Sequence, residues 1–530
     1  MAEPKENQLM EKIVSLCKRR GFVYQSSEIY GGINGFWDYG PLGAELKRNV
    51  KELWWNSMTR QREDVVGLEA TIIMSPAIWK ASGHVDTFSD PMCDCKKCKK
   101  RFRADQLCED QGLKLEKTPE GKFALAAGTK CTSCGSTDLT EPRPFNLMFK
   151  TYVGPVESED NVAYLRPETA QAIFAQFKNV LETSRQKVPF GIAQIGKAFR
   201  NEVTPRNYTF RSREFEQMEL EFFIKPDEAI EAIHGSVATV PETGHPGEPQ
   251  PNWGWQAWHR YWVEERVRFY ENIGLSRETL GFHVQTADEL AHYARATVDI
   301  LFKFPFSKRD EKGEMKGEEL EGIAARSDFD LSQHERFSGK PMGIFDEELR
   351  GAWAKLSKEK QDELWKRYYE SRKRYLEKSG VPAEQASKDA TEDANGLAKG
   401  QYIPHVIEPS AGVDRLILGL ITNAYTEVTK TDDKGKSETL VVMKFHPRVA
   451  PIKVGVLPLL KNKPELVKKA EEVRDLLRPW MNVFYDDGGS IGRRYARQDE
   501  AGTPFCVTID FDTLGEKPEL KDTVTIRHRD

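Results

Sequence analysis

Long apolar runs are missing from this chain of 530 residues. No stretch approaches the roughly 18 consecutive apolar residues that a membrane helix needs, so we expect no membrane-spanning segment. The first residues, MAEPKENQLMEKIVSLCKRRG, also lack the apolar core of a signal peptide and predict an amphipathic helix that ends at Gly21. Its buried side is expected to carry Leu9, Ile13 and Leu16. These absences favour a cytoplasmic protein over a secreted or membrane-bound one.

An excess of positive charge is missing as well. The chain has 78 Lys and Arg against 83 Asp and Glu, a formal net charge of -5. Bulk charge therefore does not draw it to nucleic acid, and any RNA contact must come from local basic patches. Its 39% hydrophobic and 30% charged residues are typical of an ordinary soluble enzyme, and its length allows two or three domains.

Cysteine is scarce, and its distribution is uneven. Of the eight cysteines, only Cys17 and Cys506 lie outside residues 93–134. In a large chain without an export signal this pattern indicates metal ligands or free thiols rather than disulfides. Two CxxC pairs, listed next, predict a structural zinc site. They are Cys95 with Cys98, and Cys131 with Cys134.

The separation between the two CxxC pairs leaves an alternative open. It is longer than the usual spacing of four-cysteine zinc sites, so reduced surface thiols are the competing interpretation. Cys93 and Cys108 are spare or alternative ligands. A site with four thiolates has no open position, so this zinc would hold the fold and would not catalyse.

Residues 191–224 carry the strongest strand pattern. The segments GIAQIGKAFRNEV and EFEQMELEFFI each place apolar side chains on one face, and about ten polar residues join them. This predicts an antiparallel hairpin with a long loop. The opposite face and the loop together collect these residues: Arg200, Glu202, Arg206, Arg211, Arg213, Phe215 and Glu219. Guanidinium groups suit phosphate oxygens and a ring suits a base plane; the alternative is a polar face that is simply solvated.

A second pattern lies at residues 406–420, VIEPSAGVDRLILGL. We expect a short strand, a Pro-Ser-Ala-Gly turn and then a helix. Arg415 falls in the first turn of that helix, where a cation opposes the helix dipole by about 0.3–1 kcal/mol. A sequence that accepts this penalty is expected to have an anion for the arginine to meet.

These patterns resemble motifs 2 and 3 of the class II aminoacyl-tRNA synthetases. The run from Phe199 to Glu202 and the return to Phe215 match motif 2, and G-x-D-R at 412–415 matches motif 3. A long helix, a strand over 65–74 and Pro76 resemble motif 1, the dimer interface of that family. The resemblance implies an ATP site made of Arg200, Asn201, Glu202, Phe210, Arg211, Phe215, Glu319, Leu320, Gly412 and Arg415.

Within that implied site, Arg200 and Arg415 are the catalytic residues. Arg200 would meet the α-phosphate, while Arg415 with Arg211 would hold the outer phosphates or the other side of the base. Glu202 would accept from the adenine amine and Phe215 would stack on the ring. Glu319 could be an oxygen ligand for Mg²⁺, although without the resemblance it is an ordinary acidic strand edge.

Three further phrases resemble the glycine-specific members of the family: F-R-A-D at 102–105, R-P-E-T at 166–169 and E-P-S-A-G at 408–412. They imply a glycine-binding set of Arg103, Glu168, Phe215, Glu219, Glu408, Ser410 and Gly412. For Arg103 the alternative is a solvated basic turn. For Glu168 it is a place in the first turn of a helix running from about 165 to 184, where a carboxylate meets the positive helix end.

The last part of the chain changes character at Ile452. Alternating strand and helix patterns predict a small open α/β domain. The phrase over 489–505 resembles the anticodon-binding domain shared by the histidine, glycine, threonine and proline synthetases. That resemblance implies tRNA contacts by Arg493, Arg494 and Arg497, with a solvated helix start as the alternative.

The fold class expected from all of this is α+β, a class II antiparallel-sheet core with insertions and a C-terminal α/β domain. The predicted segments are 1–90 with motif 1, 91–145 as a zinc-ribbon-like insertion, 146–225 with motif 2, 226–400 as an insertion with a helical arm and a core return near 315–335, 401–448 with motif 3, and 449–530 as the anticodon-binding domain.

The resemblance implies a homodimeric, glycine-specific enzyme. It would activate glycine with ATP and Mg²⁺ to glycyl-adenylate and transfer the glycine to the 3′ end of tRNA(Gly). Two alternatives stay open. One is a synthetase of the same subclass with another amino-acid specificity. The other is a non-catalytic, nucleic-acid-binding relative, which the retention of Arg200, Glu202 and Arg415 disfavours.

Overall fold

The protein is described from a computed structural model, which covers residues 5–118, 122–241, 243–291, 294–310, 312–431 and 437–529. The first four residues of the predicted N-terminal helix segment and Asp530 lie outside these ranges. The prediction of an α+β protein is confirmed, because a long antiparallel sheet carries the core and helices pack around it. Within the described ranges, none of the helices combines the length and apolar character needed to cross a membrane.

The N-terminal region contains short strands between helices. Its elements are α1 Lys5–Arg20, β1 Val23–Gln25, β2 Trp37–Tyr39, α2 Pro41–Trp55, β3 Val65–Gly67, β4 Ile73–Met74, α3 Pro76–Ala81 and α4 His84–Thr87. The expected helix side is right for Ile13 and Leu16, which are buried, and wrong for Leu9, which is 37% exposed. The single strand predicted over 65–74 is two short strands, because the Ala70 N–H bonds to the Gln194 side chain (3.0 Å) and not to a strand.

The cysteine-containing segment is built from small elements: β5 Ser89–Asp94, β6 Arg101–Arg103, α5 Ala104–Glu109, β7 Glu116–Lys117, β8 Phe123–Ala124 and β9 Arg143–Asn146. The chain then enters the main sheet through β10 Lys150–Tyr152, β11 Val162–Leu165, α6 Ala170–Ser184, β12 Phe190–Phe199 and β13 Glu214–Ile224.

Helix α6 begins later than predicted, at Ala170 and not at residues 165–169. The R-P-E-T phrase runs across the sheet, since the Arg166 guanidinium donates to the Lys197 carbonyl (2.6 Å) and the Thr169 N–H donates to Glu219 (3.1 Å). Glu168 therefore does not lie in the first helical turn, and the helix-dipole interpretation of its role is wrong.

The middle of the chain holds most of the helices. Its elements are α7 Asp227–His234, α8 Trp255–Asn272, β14 Leu280–Val284, β15 Ala296–Phe302, β16 Glu318–Ser327, α9 Phe329–Ser338, β17 Ile344–Phe345, α10 Glu347–Trp353, α11 Lys358–Lys378, α12 Ala383–Leu397 and β18 Gln401–Tyr402. The predicted helical arm over 346–398 is confirmed as α10, α11 and α12, which we call the arm. Its apolar side chains Leu349, Trp353, Leu364 and Tyr368 are buried, as their helical spacing indicates.

The motif 3 region contains β19 His405–Gly412, α13 Val413–Ala424, β20 Tyr425–Thr431 and β21 Ser437–Met443. The predicted Pro-Ser-Ala-Gly turn is wrong. These residues continue β19, because the strand is paired on both sides, with Ser410 opposite Glu219 and also opposite Gly322. The helix starts directly afterwards and buries Val413, Leu416 and Ile417.

In the described part of the chain the central sheet has seven strands in the order β14-β15-β16-β19-β13-β12-β3. All neighbours are antiparallel except β3, which pairs in parallel with β12. The predicted hairpin is confirmed as β12 and β13, with Ala193 opposite Leu220 and Phe199 opposite Glu214. Its apolar face enters the main core through Met218 and Leu220.

The other face of this hairpin is not solvated. Gln194, Glu219 and Glu221 are 0%, 2% and 0% exposed. A helix layer formed in part by α6 and α9 lies over the neighbouring side of the sheet. Alternating polarity alone indicates an exposed face, so the sequence did not reveal that the carboxylates are buried.

The C-terminal α/β unit contains β22 Val454–Pro458, α14 Pro464–Leu477, β23 Val483–Tyr485, α15 Ile491–Ala501, β24 Phe505–Ile509, α16 Phe511–Leu514 and β25 Thr525–His528. Strand β22 pairs in parallel with β23 and β24, as the alternating pattern predicts. The antiparallel edge strand β25 is an addition that the sequence analysis missed.

Candidate active site

The two motif arginines face one cleft. Arg200 and Arg415 both line an open cavity of about 660 Å³ between the hairpin loop and the start of α13, and we call it the cleft. Predicted ATP-site residues that also line it are Glu202, Phe210, Arg211, Phe215, Glu319 and Gly412. Fold topology therefore brings together residues that are more than 200 positions apart in the chain.

Arg200 follows the last residue of β12. Its backbone N–H donates to the Arg213 carbonyl (2.9 Å), which closes the hairpin loop, and its Nε donates to the Pro167 carbonyl (3.0 Å). The guanidinium lies 5.3 Å from the ring centroid of Phe215 and 5.5 Å from that of Phe88. Among the described residues it has no carboxylate partner, so its charge is available to an anion in the cleft.

Arg415 lies in the first turn of α13, as predicted. Its guanidinium lies over the Phe210 ring, 4.6 Å from the centroid, and its Nη1 meets the Glu319 carboxylate at 3.1 Å. These side chains are 31% and 49% exposed. An ion pair exposed to this degree is worth at most about 1 kcal/mol, so a polyanion could replace Glu319 at little cost.

The start of α13 is held in place by a buried acid. Asp414 accepts from the backbone N–H of Glu216 (2.7 Å), from the Tyr39 hydroxyl (2.6 Å) and from Lys47 (2.9 Å). These bonds join motif 1, the hairpin and α13, and they fix the position of the neighbouring Arg415. Asp414 was absent from the predicted site because its role is to connect elements that are far apart in sequence.

Glu202 and Arg211 form a pair within the hairpin loop. The Glu202 oxygen Oε2 accepts from Nε (2.8 Å) and Nη2 (2.7 Å) of Arg211. The second oxygen, Oε1, has no hydrogen-bond partner among the described residues. Glu202 is only 7% exposed, so this oxygen is a positioned acceptor at the cleft wall.

Two predicted ATP-site residues have little or no side-chain access to the cleft. Leu320 is 1% exposed and packs in the main core, so only its backbone could contact a ligand. Asn201 does not line the cleft, and its N–H donates to the Leu147 carbonyl at 2.7 Å. Successive side chains along an extended chain point to opposite sides, so the residue next to one that faces the cleft points away from it. This explains the positions of both Leu320 and Asn201.

A second, buried group of carboxylates adjoins the cleft, and we call it the pocket. It contains Glu168, Glu219 and Glu408, with Ser410 at the border, because Ser410 lines the cleft while its hydroxyl donates to Glu219 (2.7 Å). Glu219 also accepts from Gln217 (2.9 Å). The structure thus brings together four of the residues predicted to bind glycine.

Glu408 and Glu168 are each held by a cationic or polar partner. Nη1 of Arg326 donates to both oxygens of Glu408, at 2.9 and 2.8 Å, while its other nitrogens bond Asp330 at 2.8 and 3.0 Å. Glu168 lies 3.3 Å from His84 Nε2 and accepts from Gln171 (3.0 Å). No local pattern in the sequence marks Arg326, and its position beside E-P-S-A-G is visible only in the fold.

The pKa values in the pocket follow from burial and from neighbouring charge. Burial raises the pKa of Glu408 to about 7, although Arg326 opposes the shift. Burial raises the pKa of Glu219 as well, and the charge of Glu168 adds to it. At Glu168 burial again favours a higher pKa, but His84, Arg326 and Gln171 outweigh it and hold the pKa well below its ordinary value. The pocket therefore keeps negative charge at Glu168, whereas burial disfavours the charged forms of Glu219 and Glu408.

One pocket carboxylate was missed altogether. Glu221 is fully buried and, by the strand register, lies directly across from Glu408; neither of its oxygens has a hydrogen-bond partner among the described residues. Burial and the charge of Glu408 raise its pKa well above the ordinary value. Burial therefore favours the protonated form of Glu221. The alternation of the strand could have signalled it, since Glu219 and Glu221 share one face.

Arg103 does not join the pocket. Its guanidinium bonds Asp105 (2.5 Å) and lies 3.3 Å from Asp90, and its pKa is raised first by the bond to Asp105 and, further down, by the charges of Asp90 and Glu202. These partners place it near the Glu202 side of the cleft and not beside Glu168, Glu219 or Glu408. No hydrogen bond or ion pair joins Arg103 to these carboxylates among the described residues, and its place against glycine stays a prediction.

The four predicted zinc ligands converge. The sulfur atoms of Cys95, Cys98, Cys131 and Cys134 all lie within 4.8 Å of one another. Two of the separations, Cys95 to Cys134 and Cys98 to Cys131, are 3.6 Å. Tetrahedral zinc with bonds of about 2.3 Å requires sulfurs about 3.8 Å apart, so the set fits the ion.

Backbone N–H groups of the first CxxC pair favour the thiolate form of Cys95. The N–H of Cys98, and less strongly that of Lys97, lower the pKa of Cys95 to about 7. Cys108 was expected to be a spare ligand, but its sulfur lies 3.6 Å from the Thr129 hydroxyl. Cys93 is buried in the apolar cluster of the insertion.

The three C-terminal arginines have different surroundings. Arg494 is 2% exposed and donates to the carbonyls of Pro458 and Gly489, so it supports the domain and cannot contact RNA as predicted. Arg497 pairs with Asp486 at 2.6 Å. Arg493 is exposed at the start of α15 and retains access to a ligand.

Comparison with known families agrees with this geometry. The model "tRNA synthetase class II core domain (G, H, P, S and T)" matches residues 151–243, which contain the hairpin. "Glycyl-tRNA synthetase insertion domain 1" matches residues 90–129, and "Anticodon binding domain" matches residues 453–530.

Curated relatives match along nearly the whole chain. A glycine–tRNA ligase of Thermobifida fusca is 44% identical over 526 residues, 99% of this chain and 94% of the relative. One from Rhodopirellula baltica is 43% identical over 575 residues, with 98% and 96% covered. One from Thermus thermophilus is 43% identical over 552 residues, with 98% and 95% covered.

Proposed function

The chain belongs to the glycine–tRNA ligase family, and we propose that the cleft and the pocket divide its reaction between them. The protein is a ligase that joins glycine to tRNA. The single observation that supports the division is that Arg200 and Arg415 line one cavity whose border residue, Ser410, donates a hydrogen bond to the buried carboxylate of Glu219.

ATP is proposed to lie in the cleft. Arg200 would hold the α-phosphate, since its guanidinium has no acidic partner among the described residues, and Arg415 would exchange Glu319 for a phosphate or cover the base. Phe215 offers a ring face to adenine, and Oε1 of Glu202 can accept from the exocyclic amine. An arginine fork suits phosphate geometry and stays charged at every relevant pH.

Glycine is proposed to lie in the pocket. Its ammonium would be attracted by Glu168, Glu219 and Glu408, with Ser410 as an added polar contact. Glycine has no side chain, so selectivity must come from lack of space for a larger amino acid. A pocket rejects a substrate that is too large more readily than one that is too small, so discrimination against larger amino acids requires no editing site.

The first step follows from this placement. A carboxylate oxygen of glycine attacks the α-phosphorus, the bond to the pyrophosphate oxygen breaks, and glycyl-adenylate forms. The nucleophile is already ionised, so no general base is needed. The contribution of Arg200 is stabilisation of charge that builds on the phosphoryl oxygens, together with alignment.

Mg²⁺ is proposed to accompany ATP. Glu319 is the residue that would supply an oxygen ligand, because its half-exposed carboxylate faces the cleft. The ion would neutralise phosphate charge. In the second step a hydroxyl of the terminal tRNA adenosine would attack the glycyl carbonyl, the acyl-phosphate bond would break and AMP would leave. The C-terminal unit, with Arg493 as its exposed arginine, would hold the tRNA.

Zinc is proposed to hold the insertion through Cys95, Cys98, Cys131 and Cys134. A closed thiolate set stabilises a fold and takes no part in catalysis. Metal analysis of protein purified without added zinc is expected to give close to one zinc per chain. A stoichiometry near zero would remove this proposal.

The remaining assignments rest on the resemblance and on the element boundaries. We propose the segment limits 1–90, 91–145, 146–225, 226–400, 401–448 and 449–530, a homodimer formed through the motif 1 region, and a cytoplasmic location. None of the eight cysteines, all of which the structure describes, forms a disulfide, which fits a reducing compartment. Sedimentation analysis tests the dimer.

The activity is tested by amino-acid-dependent exchange between ATP and pyrophosphate across the twenty amino acids. Glycine alone is expected to support exchange. Glu408→Ala is expected to abolish it, while the control Glu347→Ala, a 70% exposed carboxylate on the arm, should retain it. Normal exchange by Glu408→Ala would refute the pocket assignment.

A further inference from the structure

One residue beside the pocket has an unfavourable backbone conformation. Ser327 has φ 58°, in the left-handed region that residues other than glycine rarely adopt. It lies where the pairing of β16 with β19 shifts register, between Ala325 and Ser327. A conformation of this kind persists only where the surrounding structure enforces it.

The residue before Ser327 belongs to the pocket. Arg326 is 4% exposed, and its guanidinium is shared between Glu408 and Asp330. The turn at Ser327 therefore helps to set the direction from which Arg326 reaches Glu408. A small change in this turn would move one of the glutamates proposed to hold the ammonium of glycine.

The residue after Ser327 is held by the arm. Asp328 is 1% exposed and pairs with Arg372 of α11. Arg372 also donates to Asp393 of α12 (2.8 Å) and to Ser332 of α9 (3.2 Å). Both members of the Arg372–Asp328 pair are buried, so the arm and the end of β16 are joined by ionic bonds that water does not weaken.

We propose that Arg372 is a positioning residue for glycine, and that the arm holds the strained turn at Ser327 so that Arg326 presents Glu408 to the substrate. This rests on the proposed role of the pocket. It gives the arm a role in amino-acid recognition. Arg372 lies 44 positions after Asp328, the carboxylate that it holds. Arg372 touches no part of the cleft and acts only through Asp328.

Arg367 provides a matched control on the same helix. It joins the arm to α7 through Glu228 (3.0 Å) and Glu231 (2.5 Å), away from the pocket. Removing either arginine deletes an ionic bond between the arm and the body. Only removal of Arg372 disturbs the residues next to Arg326.

The test measures KM for glycine and for ATP separately in pyrophosphate exchange. Arg372→Met is expected to raise KM for glycine about tenfold or more, the scale of a lost buried charge contact, with KM for ATP within about twofold of the native value. Arg367→Met should leave both constants within about twofold. Adding Ser327→Gly to Arg372→Met should recover part of the glycine affinity, because glycine adopts this φ without strain.

Three results would overturn the proposal: a native glycine KM in Arg372→Met, an equal rise in both constants, or the same effect from Arg367→Met. If Arg372→Met does not fold, Arg372→Lys keeps the charge and loses the fork, and it should raise the glycine KM by a smaller factor; an unchanged KM there also overturns the proposal. Glu408→Ala separates the role proposed for Arg372 from the role proposed for the pocket. Normal exchange by Glu408→Ala would reject the pocket as the glycine site.

Discussion

The cleft and the pocket share one hairpin but satisfy their charges in opposite ways. In the cleft, Arg200 has no carboxylate partner among the described residues, and Arg415 has only a half-exposed one. In the pocket, Arg326 is 5% exposed in its side chain and holds two carboxylates. The cleft keeps its cations available to a ligand, whereas the pocket is organised by its own internal bonds.

This difference matches the two ligands. A triphosphate brings several negative charges and can replace the exposed Glu319 as the partner of Arg415, so this cation does not need a buried partner before ATP arrives. Glycine is small and offers one ammonium and one carboxylate. A pocket for it must be positioned in advance, because the ligand has too few contacts to reorganise buried groups.

The largest expected effect on activity comes from removing a cation of the cleft. Arg200→Ala should lower kcat/KM for glycine activation by about 10²–10³, the usual cost of losing one donor to developing transition-state charge. Lys197→Ala, a half-exposed cation on the same hairpin that does not line the cleft, is the control and should change it little. Single-turnover adenylate formation measures the effect, and a loss below about fivefold would show that Arg200 does not meet the reacting phosphate.

A second test uses the pH dependence of the pocket. The pKa of Glu408 is raised to about 7 by burial, so protonation removes its charge below neutrality. KM for glycine should therefore rise by up to about tenfold per pH unit as the pH falls below 7, since one proton is bound per site. KM for ATP should depend less on pH than KM for glycine, because the arginines that hold the phosphates stay charged throughout this range.

Several groups face Glu408 and belong to this test: Arg326 on β16, Glu219 and Glu221 on β13, and Glu168 before α6. Glu408→Gln should give a glycine KM that no longer depends on pH in this range. A flat profile for the native enzyme between pH 6 and 8 would contradict the assignment of Glu408 as the titrating group.

The smallest expected effect is on stability. Burial and the charge of Glu408 raise the pKa of Glu221 in the folded state, whereas in the unfolded chain the proton leaves above the ordinary pKa of about 4.3. The folded state therefore binds more protons, and stability falls as the pH rises through this range. Glu221→Gln should remove this loss, so the free energy of unfolding of the variant relative to the native protein should increase as the pH rises above about 4.3, by at most about 1.4 kcal/mol per pH unit for one proton.

Urea unfolding at three pH values measures that gain, and pyrophosphate exchange should stay close to native because the amide is neutral like the acid it replaces. If the difference in free energy of unfolding between Glu221→Gln and the native protein does not change with pH, the pKa of Glu221 is not raised in the folded state. The same substitution then separates a neutral pocket wall from a fourth ammonium-binding carboxylate.

Local pattern was sufficient for much of the structure. The period of two over 191–224 predicted the hairpin, and the helical spacing of Leu349, Trp353, Leu364 and Tyr368 predicted the arm. The two CxxC pairs identified the cysteines whose sulfurs converge. In each case the information lies within a few turns of chain, where periodicity and ligand spacing are set by geometry alone.

Long-range contacts account for what local pattern missed. Ser410 was predicted in a turn, but pairing on both sides keeps it in a strand, and Arg494 looked accessible until the domain buried it. Helix α6 begins late because Arg166 and Thr169 bond the hairpin. Such bonds join residues whose separation in sequence gives no local signal.

The sequence by itself determined which groups are present: the motif arginines, the pocket glutamates, the thiols and the periodicity of the elements that carry them. Only the tertiary structure decided which charges are buried and which are paired, as with Glu221, Arg326 and Arg372. The physical reason is that a side chain's charge depends on the dielectric and the partners around it, and both are supplied by strands and helices from distant parts of the chain.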